Sequence, residues 1–246
     1  MFPMKNKHCI YLLLVLPFLS IAQALQGSVI YKKEPVAREQ HTGTIVFVSN
    51  KPIKSAYDAL RYELKFNTKE ALFSMIDNME RDDNRFNSYV FRSGGGNGTY
   101  YTSLDCNYTI RQAELLGELF LVKMDHPTFT ITNETKIIGD YECRQAIVTG
   151  INKAPNKDLK DTRYTYSVWF TPDIPVALGP IHFDGFPGLV LQVDLGPIRW
   201  TATELNLSTE DDIIIEKPVK GIPIAQKDLG STTRKMLQAM GAPSDK

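Results

Sequence analysis

The chain has 246 residues, 28 basic and 28 acidic side chains, and 43% apolar residues, of which aromatics make 10% of the whole. That length suits one β-rich domain or two small ones. A formal net charge of zero gives no electrostatic pull towards nucleic acid or anionic lipid, so the overall balance argues against a nucleic-acid partner.

The amino terminus reads as a targeting segment. Lys5 and Lys7 precede the apolar run Ile10 to Ile21, and Ala22-Gln23-Ala24 fits a small-x-small cleavage pattern. Residues 1–24 are therefore expected to be a signal peptide, cut before Leu25, and 25–246 a single β-rich domain. A membrane anchor is the alternative, but the run is short of the ~20 apolar residues a span needs. Cleavage predicts a secreted or periplasmic protein with no later membrane span, and removes Cys9.

Strand signals follow in chain order. Gly27 to Lys33 and Thr44 to Ser49 are β-branched or aromatic runs. Tyr57 to Phe66 alternates, placing Leu60, Tyr62, Leu64 and Phe66 on one face, and is read as a strand although its residues also suit a helix. Ala71 to Ile76 is a short apolar run, and the charged stretch Asp77 to Asn87 reads as an exposed loop. Gly94-Gly95-Gly96-Asn97-Gly98 lacks the ending of a phosphate loop and is expected to be a mobile loop. Tyr100 to Ile110 fits two strands around Asp105.

Leu119 to Met124 is the next run. Thr128 to Ile138 follows, with Phe129, Ile131 and Ile137 predicted on one face. Tyr141 to Thr149 comes after the Gly139-Asp140 turn, and Asn152 to Asp161 reads as a hairpin loop. In Arg163 to Thr171, Tyr164, Tyr166, Val168 and Phe170 form a predicted core face, leaving Trp169 alone on the polar face. Trp169 there is either a cap lying under a loop or a stacking platform on a concave surface.

Pro172, Pro175 and Pro180 make Thr171 to Phe183 a connection rather than a strand. Pro187-Gly188 predicts a type II turn, and Leu189 to Asp194, apolar on both faces, a central strand. Trp200 to Leu207 and Ile213 to Ile215 are the last expected strands. Gln226 to Met240 has helical periodicity. The predicted fold is mainly β, a β-rich α+β domain ending in a short helix.

Cys106 and Cys143 survive processing. In an oxidising compartment they form either a disulfide, worth roughly 4 kcal/mol by loop closure, or two separate thiols. No zinc-type cluster is present and no cofactor or metal is expected. His182 and Asp184, two apart, are the acid–base candidates, with Glu142 as a third. No Gly-x-Ser-x-Gly elbow accompanies them.

Together these pieces resemble the GLPGLI family. The motif appears as Gly185-Phe186-Pro187-Gly188-Leu189-Val190, preceded by Asn133 to Ala146 (NETKIIGDYECRQA) and Val168 to Pro180 (VWFTPDIPVALGP). The resemblance covers about residues 118–207, leaving 208–246 as a tail. It departs from the family pattern at Asp140, Gln145, Phe129 and Ile181. It implies a secreted or envelope location in Bacteroidetes-type bacteria and a curved antiparallel sheet, shaped as a bowl or half-barrel. A partner among outer-membrane transport or envelope components, and similarity to a domain preceding the catalytic part of some glycan-releasing enzymes, are further implications. The expected function is thus a non-catalytic binding or accessory protein, more a binder than an enzyme, with Trp169, His182, Phe183 and Phe186 around the ligand. The alternative is a hydrolase using His182 and Asp184.

Overall fold

A computed structural model describes residues 25–36, 51–76, 90–152, 160–209 and 213–241. The signal segment, the run Thr44 to Ser49, the charged stretch Asp77 to Asn87 and most of the Asn152 to Asp161 loop lie outside these residues.

The described residues form one open, rolled sheet of twelve strands. Its strands are β1 (Gln26–Pro35), β2 (Tyr62–Phe66), β3 (Glu70–Met75), β4 (Thr99–Ser103), β5 (Tyr108–Leu115), β6 (Glu118–Met124), β7 (Phe129–Ile138), β8 (Tyr141–Asn152), β9 (Thr162–Thr171), β10 (Leu189–Leu195), β11 (Ile198–Ser208) and β12 (Ile222–Ala225). Their spatial order is β12-β6-β5-β4-β3-β2-β1-β11-β10-β9-β8-β7. Every pairing is antiparallel except β12 on β6. β1 closes the long gap in sequence by pairing β11 from Gln26 opposite Ser208 to Pro35 opposite Ile198.

The inner face is filled by aromatic rings. Tyr62 meets Trp200 edge-on at 4.6 Å and stacks on Phe73 at 5.7 Å, contacts worth roughly 1 kcal/mol each beyond their burial. Helix α1 (Lys51–Ala59) covers β1 with the buried Ile53 and Tyr57. This corrects the strand reading of Tyr57 to Leu60: the strand begins only at Tyr62. Tyr62, Leu64 and Phe66 do share the buried face, as the alternation requires. The carboxy-terminal helix α2 (Gln226–Ala239) forms as expected. No strand forms at Ile213 to Ile215; the last strand is β12, placed parallel at the sheet edge, where Pro223 is tolerated.

The Gly-rich segment is tied to the sheet. Lys33, 1% exposed, donates from Nζ to the carbonyls of Phe91, Ser93 and Gly95 at 3.0, 3.0 and 3.1 Å. It also lies 5.3 and 5.4 Å from the ring centres of Tyr62 and Trp200. Trp200 Nε1 donates to the Gly94 carbonyl. Gly96 passes so close to Trp200 that a Cβ would sit 2.6 Å from its ring. Burial pulls the Lys33 pKa down to about 7, while three carbonyls and two ring faces favour its charged form. The segment is a loop, but one pinned at three carbonyls rather than a free one.

The connection 172–188 folds back beside β10. Leu189 and Val190 donate to the carbonyls of Ile174 and Leu178, and Gly185 donates to Ala177. The Phe-Pro-Gly corner is not a type II turn. Gly188 donates to Phe186, closing a three-residue turn around Pro187, because the Leu189 N–H that a type II turn would use is already bound to Ile174. Gly188 has φ +146°, and a Cβ there would lie 2.1 Å from the Thr171 carbonyl oxygen. Only glycine fits, for both reasons. β10 emerges central and buried, with a bulge between Val190 and Gln192.

Candidate functional site

The roll brings the third and tenth strands of the sheet, β5 and β9, to opposite walls of one cavity of about 730 Å³. The 172–188 connection forms part of its floor. Tyr100 and Arg111 stand on one wall, Tyr164 and Tyr166 on the other, with His126 and His182 between them. Volume and mixed lining fall in the usual range for small-molecule sites.

Tyr164 and Tyr166 project on the same side of β9, as a period of two demands. Their rings stack 4.6 Å apart at 22°. They are half-buried, so the predicted core face continues into the cavity wall: Val168 and Phe170 are buried, while the two tyrosines look into open space. Opposite them, Arg111 Nε and Nη2 donate to the Asn97 carbonyl at 3.1 and 3.0 Å, and Nη2 also reaches Asn97 Oδ1 at 2.9 Å. Its guanidinium lies 5.7 Å from the Tyr100 ring centre. Nη1 is left free of these bonds.

His182 is the central group. Its ring stacks between Tyr100 at 6.4 Å and Phe183 at 5.3 Å. Nδ1 is buried without a hydrogen-bond partner. The residue as a whole is half-buried and lines the cavity. Burial holds the His182 pKa below the usual imidazole value, so the ring is neutral near pH 7. An unbonded buried N–H is rarer than an unfilled acceptor, which favours the tautomer with its proton on Nε2, a donor to a ligand in the cavity. Ile181, just before it, is a β-branched residue at φ +64°, a strained conformation worth about 1–3 kcal/mol.

Asp184 makes no hydrogen bond to His182, although its charge acts on that ring. Its carboxylate is buried and accepts hydrogen bonds from Thr109, from Thr102 at 3.4 Å, and from His126 Nδ1 at 2.8 Å. His126 Nε2 faces the Asn107 carbonyl at 3.0 Å. A carbonyl only accepts, so Nε2 donates to Asn107, and a second proton on Nδ1, as in the imidazolium, would also satisfy the Asp184 carboxylate. Burial lowers its pKa, but the Asn107 carbonyl and Asp184 outweigh that and raise it overall. This clasp fastens the 172–188 connection to β4, β5 and the β6–β7 link. The extended backbone that would set His182 and Asp184 on one face does not form, since residues 181–188 turn, and the Asp184 carboxylate bonds Thr109 and His126 instead.

The other candidates are dispersed. Phe183 is buried at the cavity wall. Phe186 is fully buried in the core, stacked on Phe129 at 4.3 Å. Trp169 faces the opposite side of β9 from Tyr166, beneath Lys136, whose Nζ lies 4.1 Å from the ring centre. The same side carries Asp194, bridged to Arg199 at 2.6 Å. Glu142 is exposed on β8, paired with Ile137 of the edge strand. Cys106 is exposed and Cys143 buried, and both are free thiols. Six strands separate β4, which leads into the Cys106 turn, from β8, which holds Cys143. Among the described residues no group of three or more His, Cys, Asp or Glu side chains gathers as for a metal ion, and no helix is long and apolar enough to cross a membrane.

Tyr100, Arg111 and His126 belong to no motif in the sequence. The alternation of Thr109, Arg111 and Ala113 with outward residues was the one signal available, and it marks a face without saying what lies across the bowl.

Residues 129–192 match a family model described as a protein of unknown function (Porph_ging). The match falls within the stretch that carries the GLPGLI-like motifs, under that description and not under the GLPGLI name. No curated protein matches the sequence. Among solved structures, PNGF-II in a C2 crystal form is similar at 15% identity and TM-score 0.50, over 86% of this chain and 34% of that one. PNGF-II in a P21 crystal form has 16% identity and TM-score 0.48 over the same shares. The chain therefore spans about a third of the length of those structures. At that identity the first likeness speaks to the fold alone.

Proposed function

We propose that this chain is a non-catalytic binding or accessory domain of the cell envelope, secreted or periplasmic, whose bowl takes a small ligand between β5 and β9. The observation that carries this reading is the His182 ring in the cavity lining, its Nδ1 buried without a partner, with aromatic ring faces and the Arg111 guanidinium in the same lining. Such a site suits a ligand with hydrogen-bond acceptors and a flat or apolar face. The targeting pattern of residues 1–24 and the GLPGLI-like motifs favour the envelope location, and an envelope or outer-membrane transport component as partner.

The hydrolase alternative has less support. Asp184 is spent on Thr109 and His126, and no base-orienting partner meets His182 Nδ1. Catalytic nucleophile–base–orienter chains need those bonds. A ligand-observed NMR screen of the mature chain against small molecules extracted from a Bacteroidetes-type envelope tests the binding reading. Binders should be lost in both Tyr166→Ala and Arg111→Ala. Binding unchanged in these variants, or no binder at all, would contradict it.

A further inference from the structure

The outer face of the sheet holds a second concavity, of about 710 Å³, that the bowl does not use. It lies where residues 217–219 and the edge strand β12 border the outer sides of β5 and β6. Ile110 and Leu121 form its base, on the strand sides opposite Arg111 and Val122. Val219 and Pro223 form its flank, and Lys123 and Lys217 stand at its margin. No acidic residue is among its lining.

Among the described residues neither lysine forms an ion pair with a carboxylate, although the charge of Glu70 acts on Lys217 from beyond the slot. Lys217 donates from Nζ to the Tyr108 hydroxyl at 2.9 Å and lies 5.3 and 5.7 Å from the ring centres of Tyr108 and Tyr101. Two of its N–H donors remain available. Val219 is 76% exposed and Ile222 50% exposed, so apolar surface continues outward from the slot. Aliphatic side chains next to cations, with no anion in the lining, complement a molecule that has a hydrocarbon part and a negative end. An extended peptide gains less here. The main-chain groups of β5 and β6 are taken by β4, by each other and by β12, and the edge strand β12 is only four residues long and carries Pro223, so little backbone is offered for strand addition.

We propose that this slot binds a single-chain anionic amphiphile, its alkyl chain over Ile110, Leu121 and Val219 and its head group at Lys123 and Lys217. The shared chemistry is an alkyl chain with a carboxylate or phosphate terminus. This stands apart from the bowl, and neither reading depends on the other.

Calorimetric titration of the mature chain tests it, using dodecanoate, dodecyl phosphate and dodecyltrimethylammonium below their micelle concentrations. Both anions should bind and the cation should not. The double variant Lys123→Glu/Lys217→Glu should weaken anion binding by roughly tenfold or more. Val219→Asp, at an exposed position, should weaken it without moving the thermal midpoint. Equal binding of anionic and cationic amphiphiles, affinity unchanged in the variants, or no binding would overturn the proposal. Phosphatidylglycerol vesicles separate a bound molecule from a lipid surface. Co-sedimentation with vesicles but no uptake of free dodecanoate would also overturn it, making the patch a membrane-docking surface.

Discussion

The two walls of the bowl come from regions of different character. The wall built by β8 and β9, with the 172–188 floor, lies within the family-matched residues 129–192. It contributes Tyr164, Tyr166, His182 and Phe183. The wall built by β4, β5 and the β6–β7 link lies outside that match and contributes Tyr100, Arg111 and His126. The recognisable motif is mostly frame: Phe186, Leu189 and Val190 are buried to the last percent. The cavity exists only where the frame meets the other wall, at the His182–Tyr100 stack and the His126–Asp184 clasp. A motif can therefore mark a fold while half of its site sits elsewhere.

The frame should be the region most sensitive to substitution. Gly188→Val combines a forbidden φ with a clash on the Thr171 carbonyl and should cost about 4 kcal/mol or more. A urea midpoint within error of the wild type would show that the corner does not hold the frame.

The unmatched side has its own anchor. Lys33→Met leaves the carbonyls of Phe91, Ser93 and Gly95 without their donor and should cost about 3 kcal/mol. Trp200 emission should report the loosened loop at low denaturant. No change in either would mean the Gly-rich segment is held by packing alone.

The seam between the walls should matter less. Asp184→Asn keeps the shape but removes the charge facing His126, at about 1–2 kcal/mol, and should weaken ligand binding because the floor is no longer clasped to β5. Undiminished binding would detach the clasp from the site. The smallest effect is the pH dependence. His126 has a raised pKa in the folded chain, so its contribution is complete below about 6.5 and is lost as pH rises through the folded value. Its side chain is 36% exposed, so solvent screening keeps the amplitude below about 1 kcal/mol. His126→Gln should flatten the stability profile above pH 6.5, and a profile identical to wild type would reject the ion pair.

Most strands were legible because inward and outward residues alternate strictly, as in Tyr62 to Phe66 and Arg163 to Thr171. Burial did not follow alternation at the sheet edge. In the edge strand β7 the irregularity between Ile131 and Thr135 keeps Ile131 and Ile137 on one side, as the alternation predicts, yet they stay 40% and 68% exposed. Helix α1 was hidden because Tyr57 to Leu60 merges in pattern with the strand that follows. β12 was missed because Ile213 to Ile215 is the more β-like run, whereas Ile222-Pro223-Ile224-Ala225 owes its place to pairing with β6. The site was harder. An apolar face that closes a core and one that lines a cavity look alike in sequence, so Tyr164 and Tyr166 read as core. Trp169 drew attention by standing out, yet the period of two that exposed it also turned it away from the bowl. Lys33 and the His126–Asp184 pair gave no local signal, since their partners lie 58 to 62 and 58 residues away.

The central claim is that His182 offers a donor between the two walls. Long-range ¹H–¹⁵N correlation of the histidine rings, before and after adding a binder from the screen, addresses it directly. The expected spectrum shows His182 neutral near pH 7 with its proton on Nε2, and the Nε2 resonance moving as the binder is added. A charged ring, a proton on Nδ1, or a His182 signal indifferent to bound ligand would contradict it.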